Sequence, residues 1–163
     1  MSEQIFAETS ADFPPRSVVR SMPGLDYLRK VMAGEVPAMT IAQQLNFRLT
    51  HVEKGMVEVT GTPEHSQTNT FGGVHGGWYG VILDSCLTAA VISALERGQF
   101  QTTLEYKVNM VKAIPVGTTV IGTGRLEHLG RSTGIARGEI RGAEDGTLYA
   151  LGTATCFIMG EPG

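Results

Sequence analysis

At 163 residues the chain is long enough for one domain with a real core, and 42% hydrophobic against 18% charged residues is a globular, not a disordered, balance. Thirteen basic and sixteen acidic residues leave a net charge of −3, which argues against a nucleic-acid binder, where a basic excess is the rule. Cys86 and Cys156 both lie in apolar runs, as thiols in a reducing cytoplasm do and disulfide scaffolds do not. The polar start MSEQIFAETSADFPPRS has no hydrophobic signal core.

In chain order, residues 1–20 read as a flexible lead-in interrupted by Pro14-Pro15. Pro23 marks a helix start, and Leu25, Leu28, Val31 and Met32 fall at helical spacing up to Gly34. Residues 41–45 suit a further short turn. Residues 1–40 are thus expected to be an extension with a short helix, capping the outside of a main domain at 41–163. Residues 47–52 and 56–62 flank Lys54-Gly55 as a hairpin. Residues 63–75 form a long loop, and residues 76–95 a helix that stops before Gly98.

Four strands follow. Across residues 103–110, Leu104, Tyr106, Val108 and Met110 alternate with Thr103, Glu105, Lys107 and Asn109, the period of a sheet with two different faces. Residues 119–128 follow Pro115-Val116-Gly117, residues 134–141 follow a turn at 129–132, and residues 148–159 follow the hairpin signal Asp145-Gly146. The sum is an α+β fold: an antiparallel sheet of about six strands wrapped around one long central helix. One sheet buries that helix on one side only. The other side calls for a second sheet, most easily a twin subunit.

Chemistry concentrates in residues 69–95, NTFGGVHGGWYGVILDSCLTAAVISAL. A helix apolar all round belongs in a core or a membrane, yet its centre carries one charge, Asp84, which is costly unless paired or used. Against a membrane span stand that charge, the polar Ser85, Thr88 and Ser93, and the soluble, amphipathic strands that follow. Gly72, Gly73, Gly76 and Gly77 sit where the helix begins, so free N–H groups and the positive dipole end face whatever approaches. A donor-rich helix start beside a buried acid outlines an acyl-transfer site. Asp84 suits a general base for water or a nucleophile towards an acyl carbon, with Thr88 on its face at i,i+4 spacing. Gly76 N–H, with Gly77 beside it, suits the carbonyl oxygen of an ester. His75 shapes the loop or moves a proton, and Asn69 can both donate and accept. Cys86 lies nearly opposite Asp84 on the helix, and Ser85 lacks a strand–turn elbow. The histidines at 51, 65, 75 and 128 show no metal spacing. Phe71, Trp78, Tyr79 and Met110 suit an acyl pocket or the core equally.

The run Asn69…His75-Gly76-Gly77…Asp84 resembles the hotdog-fold acyl-CoA thioesterases of the phenylacetate-pathway, PaaI-like group, in the 4-hydroxybenzoyl-CoA thioesterase superfamily. The resemblance spans residues 23–159, including Thr102-Thr103-Leu104-Glu105 and Glu127-His128-Leu129-Gly130-Arg131. It implies a hotdog fold, a homodimer usually paired into a homotetramer, and hydrolysis of an acyl-CoA without metal or organic cofactor. By position it assigns the acid to Asp84, the carbonyl-polarising amide to Gly76, the loop amide to Asn69, a water-orienting hydroxyl to Thr103 and a CoA contact to Arg131 and Ser132. Some relatives have Glu at the acid's place, and the shorter Asp84 favours activating water over direct attack.

The expected function is therefore an acyl-CoA thioesterase for aryl, short or medium acyl groups, cytoplasmic, partnered by neither nucleic acid nor membrane. Its rivals are a hotdog dehydratase or hydratase and a non-catalytic acyl-CoA sensor. Gly76 and Asp84 lie eight residues apart in one helix, about 12 Å along the axis, too far to serve one reacting centre. Each site is thus expected to take Asn69 and Gly76 from one subunit and Asp84 and Thr103 from the other.

Overall fold

A computed structural model gives the architecture of residues 4–161 and 163. Short helices come first: a 3-10 turn at Ser10–Asp12, then α1 (Arg16–Val19), α2 (Gly24–Met32) and α3 (Thr40–Gln44). β1 (Phe47–Glu53) and β2 (Met56–Gly61) form the hairpin around Lys54-Gly55, with Gly55 in the left-handed region at φ 81°. A 3-10 turn at His65–Gln67 leads to α4 (Gly76–Ile92). β3 (Phe100–Met110), β4 (Val120–Leu129), β5 (Thr133–Gly142) and β6 (Leu148–Met159) complete one six-stranded antiparallel sheet in the order β1-β2-β4-β5-β6-β3.

The sheet curls around α4 because both are apolar where they meet. Ile82, Leu83, Cys86, Leu87, Ala90 and Val91 share one buried cluster with Val59, Val120, Ala136, Ile140, Ala150 and Ala154 of the strands. Small residues on the inner face let the sheet approach closely. A Cβ on Gly124 would stand 2.2 Å from the Cys86 carbonyl oxygen, so only glycine fits there. One-residue bulges interrupt the ladders between Leu49 and His51, between Thr103 and Glu105, and between Leu126 and His128, and bulges bend the strands that carry them. On α4's outer flank, Leu28 of α2 packs with Val52, Val57 and Ala89. This α+β arrangement, a six-stranded sheet around one central helix with short helices before it, is the hotdog fold.

Three details depart from expectation. The apolar run continues to Leu95, but α4 ends at Ile92: the Ser93 hydroxyl donates to the Ala90 carbonyl and accepts the Gly55 N–H, and Ala94 and Leu95 close with i,i+3 bonds. The expected lead-in is structured from Ile5 on, since Ala38 N–H donates to Ile5 O and Ala7 N–H to Ala38 O; residues 1–3 lie outside the described residues. β3 starts at Phe100, not Thr103, and as an edge strand it leaves Leu104, Tyr106 and Met110 exposed. Trp78 and Tyr79 belong to the core. The Trp78 indole donates to Leu45 O at 3.0 Å, and the Tyr79 hydroxyl accepts the Ile114 N–H at 2.7 Å.

Candidate active site

The loop before α4 is built before it is used. The pattern Glu64…Gln67 closes a capping box: the Gln67 side chain accepts the Glu64 N–H at 2.6 Å and donates to Gln44 O at 3.0 Å. The backbone carbonyl of the same residue accepts the His75 N–H. Gln67 thereby ties the loop to the end of α3, a role that the Glu-x-x-Gln spacing could have signalled. Asn69 turns the chain next. Its Oδ1 accepts the N–H groups of Phe71 (2.9 Å) and Gly73 (3.2 Å), which orients its Nδ2 the other way, without an acceptor among the described residues.

His75 caps the helix, its Nδ1 accepting the Gly77 N–H at 2.9 Å. Gly77 is therefore not the free donor the glycine-rich start suggested, because its neighbour consumes it. Gly76 N–H, at the first helical position, has no acceptor among the described residues and keeps the orphan donor of a helix start.

The sheet-facing side of α4 is sealed, while Gly77, Val81, Asp84 and Ser85 on the other side stay open or half-buried. β3 runs antiparallel along this helix. Met110 sulfur lies 3.4 Å from where a Gly76 Cβ would be, and the Tyr106 hydroxyl 3.2 Å from where a Gly80 Cβ would be. Further along, the Thr103 hydroxyl donates to Asp84 Oδ1 at 3.2 Å. Burial raises the Asp84 pKa above the ordinary carboxylate value, and the Thr103 hydrogen bond opposes that shift. The Thr88 hydroxyl shares the face of Asp84 but donates to its backbone carbonyl at 2.7 Å, not to its carboxylate.

The structure thus brings Asp84, Thr88 and Thr103 together, and separately Asn69, His75, Gly76 and Gly77. The length of α4 holds the two groups apart. Arg131 and Ser132 are exposed in the β4–β5 turn. Nearby, Gly134 packs against Val91 at the far end of α4 from Gly76. Both cysteines are fully buried, with burial pushing the thiol pKa to about 12 for Cys86 and about 11 for Cys156, which suits inert packing residues. Among the described residues no three His, Cys, Asp or Glu side chains gather to hold a metal, and no helix is long and apolar enough to cross a membrane.

A curled sheet on one helix, with a half-buried acid at mid-helix and an orphan N–H at the helix start, defines a hotdog domain with a candidate acyl-transfer site. The thioesterase superfamily model matches residues 71–149. The phenylacetic acid degradation-related protein of Ralstonia eutropha JMP134 is 30% identical, with a TM-score of 0.72 over 80% of this chain and 98% of that one. The smu.793 protein of Streptococcus mutans UA159, solved bound to acetyl CoA, is 29% identical, with a TM-score of 0.65 over 72% and 92%. The PaaI protein of E. coli, from the phenylacetic acid degradation operon, shares the fold with a TM-score of 0.68 over 75% and 86% at 21% identity. No curated protein matches the sequence. The chain belongs to the thioesterase superfamily, among its PaaI-like hotdog members.

Proposed function

We propose that this protein is an acyl-CoA thioesterase whose sites lie between two subunits. The observation that carries the reading is Asp84: a half-buried carboxylate on the open face of α4, held by the Thr103 hydroxyl and with no cationic partner among the described residues. Burying a charge without a cationic partner is costly and suits a working base. The ionised Asp84 takes a proton from water as the water oxygen attacks the thioester carbonyl carbon. The carbon–sulfur bond breaks, and the departing CoA thiolate recovers a proton, leaving free acid and CoA. Thr103 positions Asp84 and the water.

The developing oxyanion needs a donor about 3 Å away, and Gly76 N–H of the same chain lies about 12 Å along the helix. A two-fold axis between antiparallel α4 helices brings Gly76 and Asn69 of one subunit beside Asp84 and Thr103 of the other. Asn69 Nδ2 then meets the thioester oxygen or the water. His75 acts by fixing the helix start, with Gly77 held in place for close approach. Thr88 flanks the acyl group, and Arg131 and Ser132 meet CoA.

The two-fold is supported by what is uncovered. Phe71 at the loop tip is 94% exposed, and Leu104 and Met110 of β3 and Val111 just beyond it are more than half exposed. An apolar edge strand of this kind is a template for pairing. Ile135, Leu151 and Phe157 on the outer sheet face suit the pairing of dimers into a tetramer. The test is release of free thiol from aryl-, short- and medium-chain CoA esters. Asp84→Asn keeps shape and hydrogen-bonding capacity, and should lower turnover about 10²–10⁴-fold. Hydrolysis by the Asn variant at the wild-type rate would contradict the mechanism.

A further inference from the structure

A cavity of about 230 Å³ lies between α4, the first two strands and the segment before residue 40. Tyr27, Leu28 and Val31 of α2 form one wall, and Ser85, Thr88 and Ala89 of α4 the facing one. The cavity thus begins one residue beyond Asp84, and Thr88 in its wall is bonded to the Asp84 carbonyl. Its lining is almost wholly apolar, so it gains most from an occupant with apolar atoms to contact.

We propose that this cavity takes the acyl group of the thioester, and that the N-terminal segment sets how long that group can be; the inference rests on the thioesterase reading above. An apolar cavity of about 150 Å³ takes one benzene, so this one suits an uncharged alkyl or aryl group of about eight carbons. The segments that flank the wall are tied down. Ala38 of the lining accepts the Ala7 N–H at 3.0 Å, Thr40 next to the lining residue Met39 donates through its hydroxyl to Ala7 O at 2.7 Å, and Arg20 Nε, ahead of α2, donates to Gly98 O at 2.8 Å. The Gln4 amide closes one margin by donating to Val31 O at 3.3 Å. A wall tied down at several points acts as a ruler, because a longer chain must displace packed side chains instead of a loose tail.

The experiment is a series of straight-chain CoA esters from two to twelve carbons, with kcat/KM read by thiol release. For the wild type, kcat/KM should climb about three- to fourfold per methylene, the worth of one buried CH₂, up to about eight carbons, and then fall. Val31→Phe, which fills the cavity, should move the optimum shorter, and Leu28→Ala, which enlarges it, should move it longer. Opposite displacements cannot come from general destabilisation of the fold. A flat profile, or variants that scale every ester alike while hydrolysis persists, overturns the cavity assignment and leaves the thioesterase reading standing. Calorimetric binding of a non-hydrolysable octanoyl-CoA thioether separates the converse case. If no ester is cleaved, yet the thioether binds the wild type and Val31→Phe weakens it at least tenfold, the cavity assignment holds and the hydrolase reading falls.

Discussion

Asp84 sits between two opposed influences. Burial disfavours its charge and raises its pKa, while the Thr103 hydroxyl stabilises the charged form and lowers it. A base works only when deprotonated, so activity should fail on the acid side, and the raised pKa places that failure above the ordinary carboxylate range. The acid limb of kcat/KM against pH, which reports the free enzyme, should therefore lie above that of an ordinary aspartate. Thr103→Val keeps the volume but removes the donor, leaving burial unopposed, so the limb should move to higher pH. A limb that moves down or stays put would show that Thr103 does not hold the carboxylate. The pairing of Asp84 with Thr103 was readable only through family resemblance: nineteen residues separate them, and no local spacing connects a mid-helix acid to a threonine on an edge strand.

Among the elements, α4 and the inner face of the sheet depend on one another. The backbone of α4 passes so close to β4 that a methyl group on residue 124 would meet the Cys86 carbonyl at 2.2 Å and the Leu87 nitrogen at 2.8 Å. Gly124→Ala must push helix and strand apart, at about 1–3 kcal/mol. That corresponds to about 2–12 °C lost from the Tm at this chain length, measurable by calorimetry; an unchanged Tm would mean that the contact yields freely. The helix and the hairpins could be read from the sequence because each rests on local chemistry: a long apolar run, Lys54-Gly55, Asp145-Gly146. What could not be read depends on distant partners. Ser93 ends α4 by bonding Gly55 across the fold, against an apolar pattern that runs on to Leu95. Residues 5–7 look like a loose tail until Ala38 supplies their hydrogen bonds. Alternation in β3 suggested a strand with two different faces, whereas at the edge of the sheet Leu104, Tyr106 and Met110 stay open.

At the scale of the whole molecule, the proposed site is shared between two chains. The N–H of Gly76 and the carboxylate of Asp84 occupy the same helix, so the proposed mechanism draws on two copies. Mixing inactive variants tests this most directly. Asp84→Ala and Asn69→Ala are prepared separately, each nearly inactive by thiol release, then unfolded and refolded together in equal amounts. Random pairing makes half the dimers mixed, and each mixed dimer rebuilds one intact site of two. About a quarter of wild-type activity should therefore return. If the mixture stays as inactive as its parents while native mass spectrometry shows mixed dimers present, the shared site is contradicted.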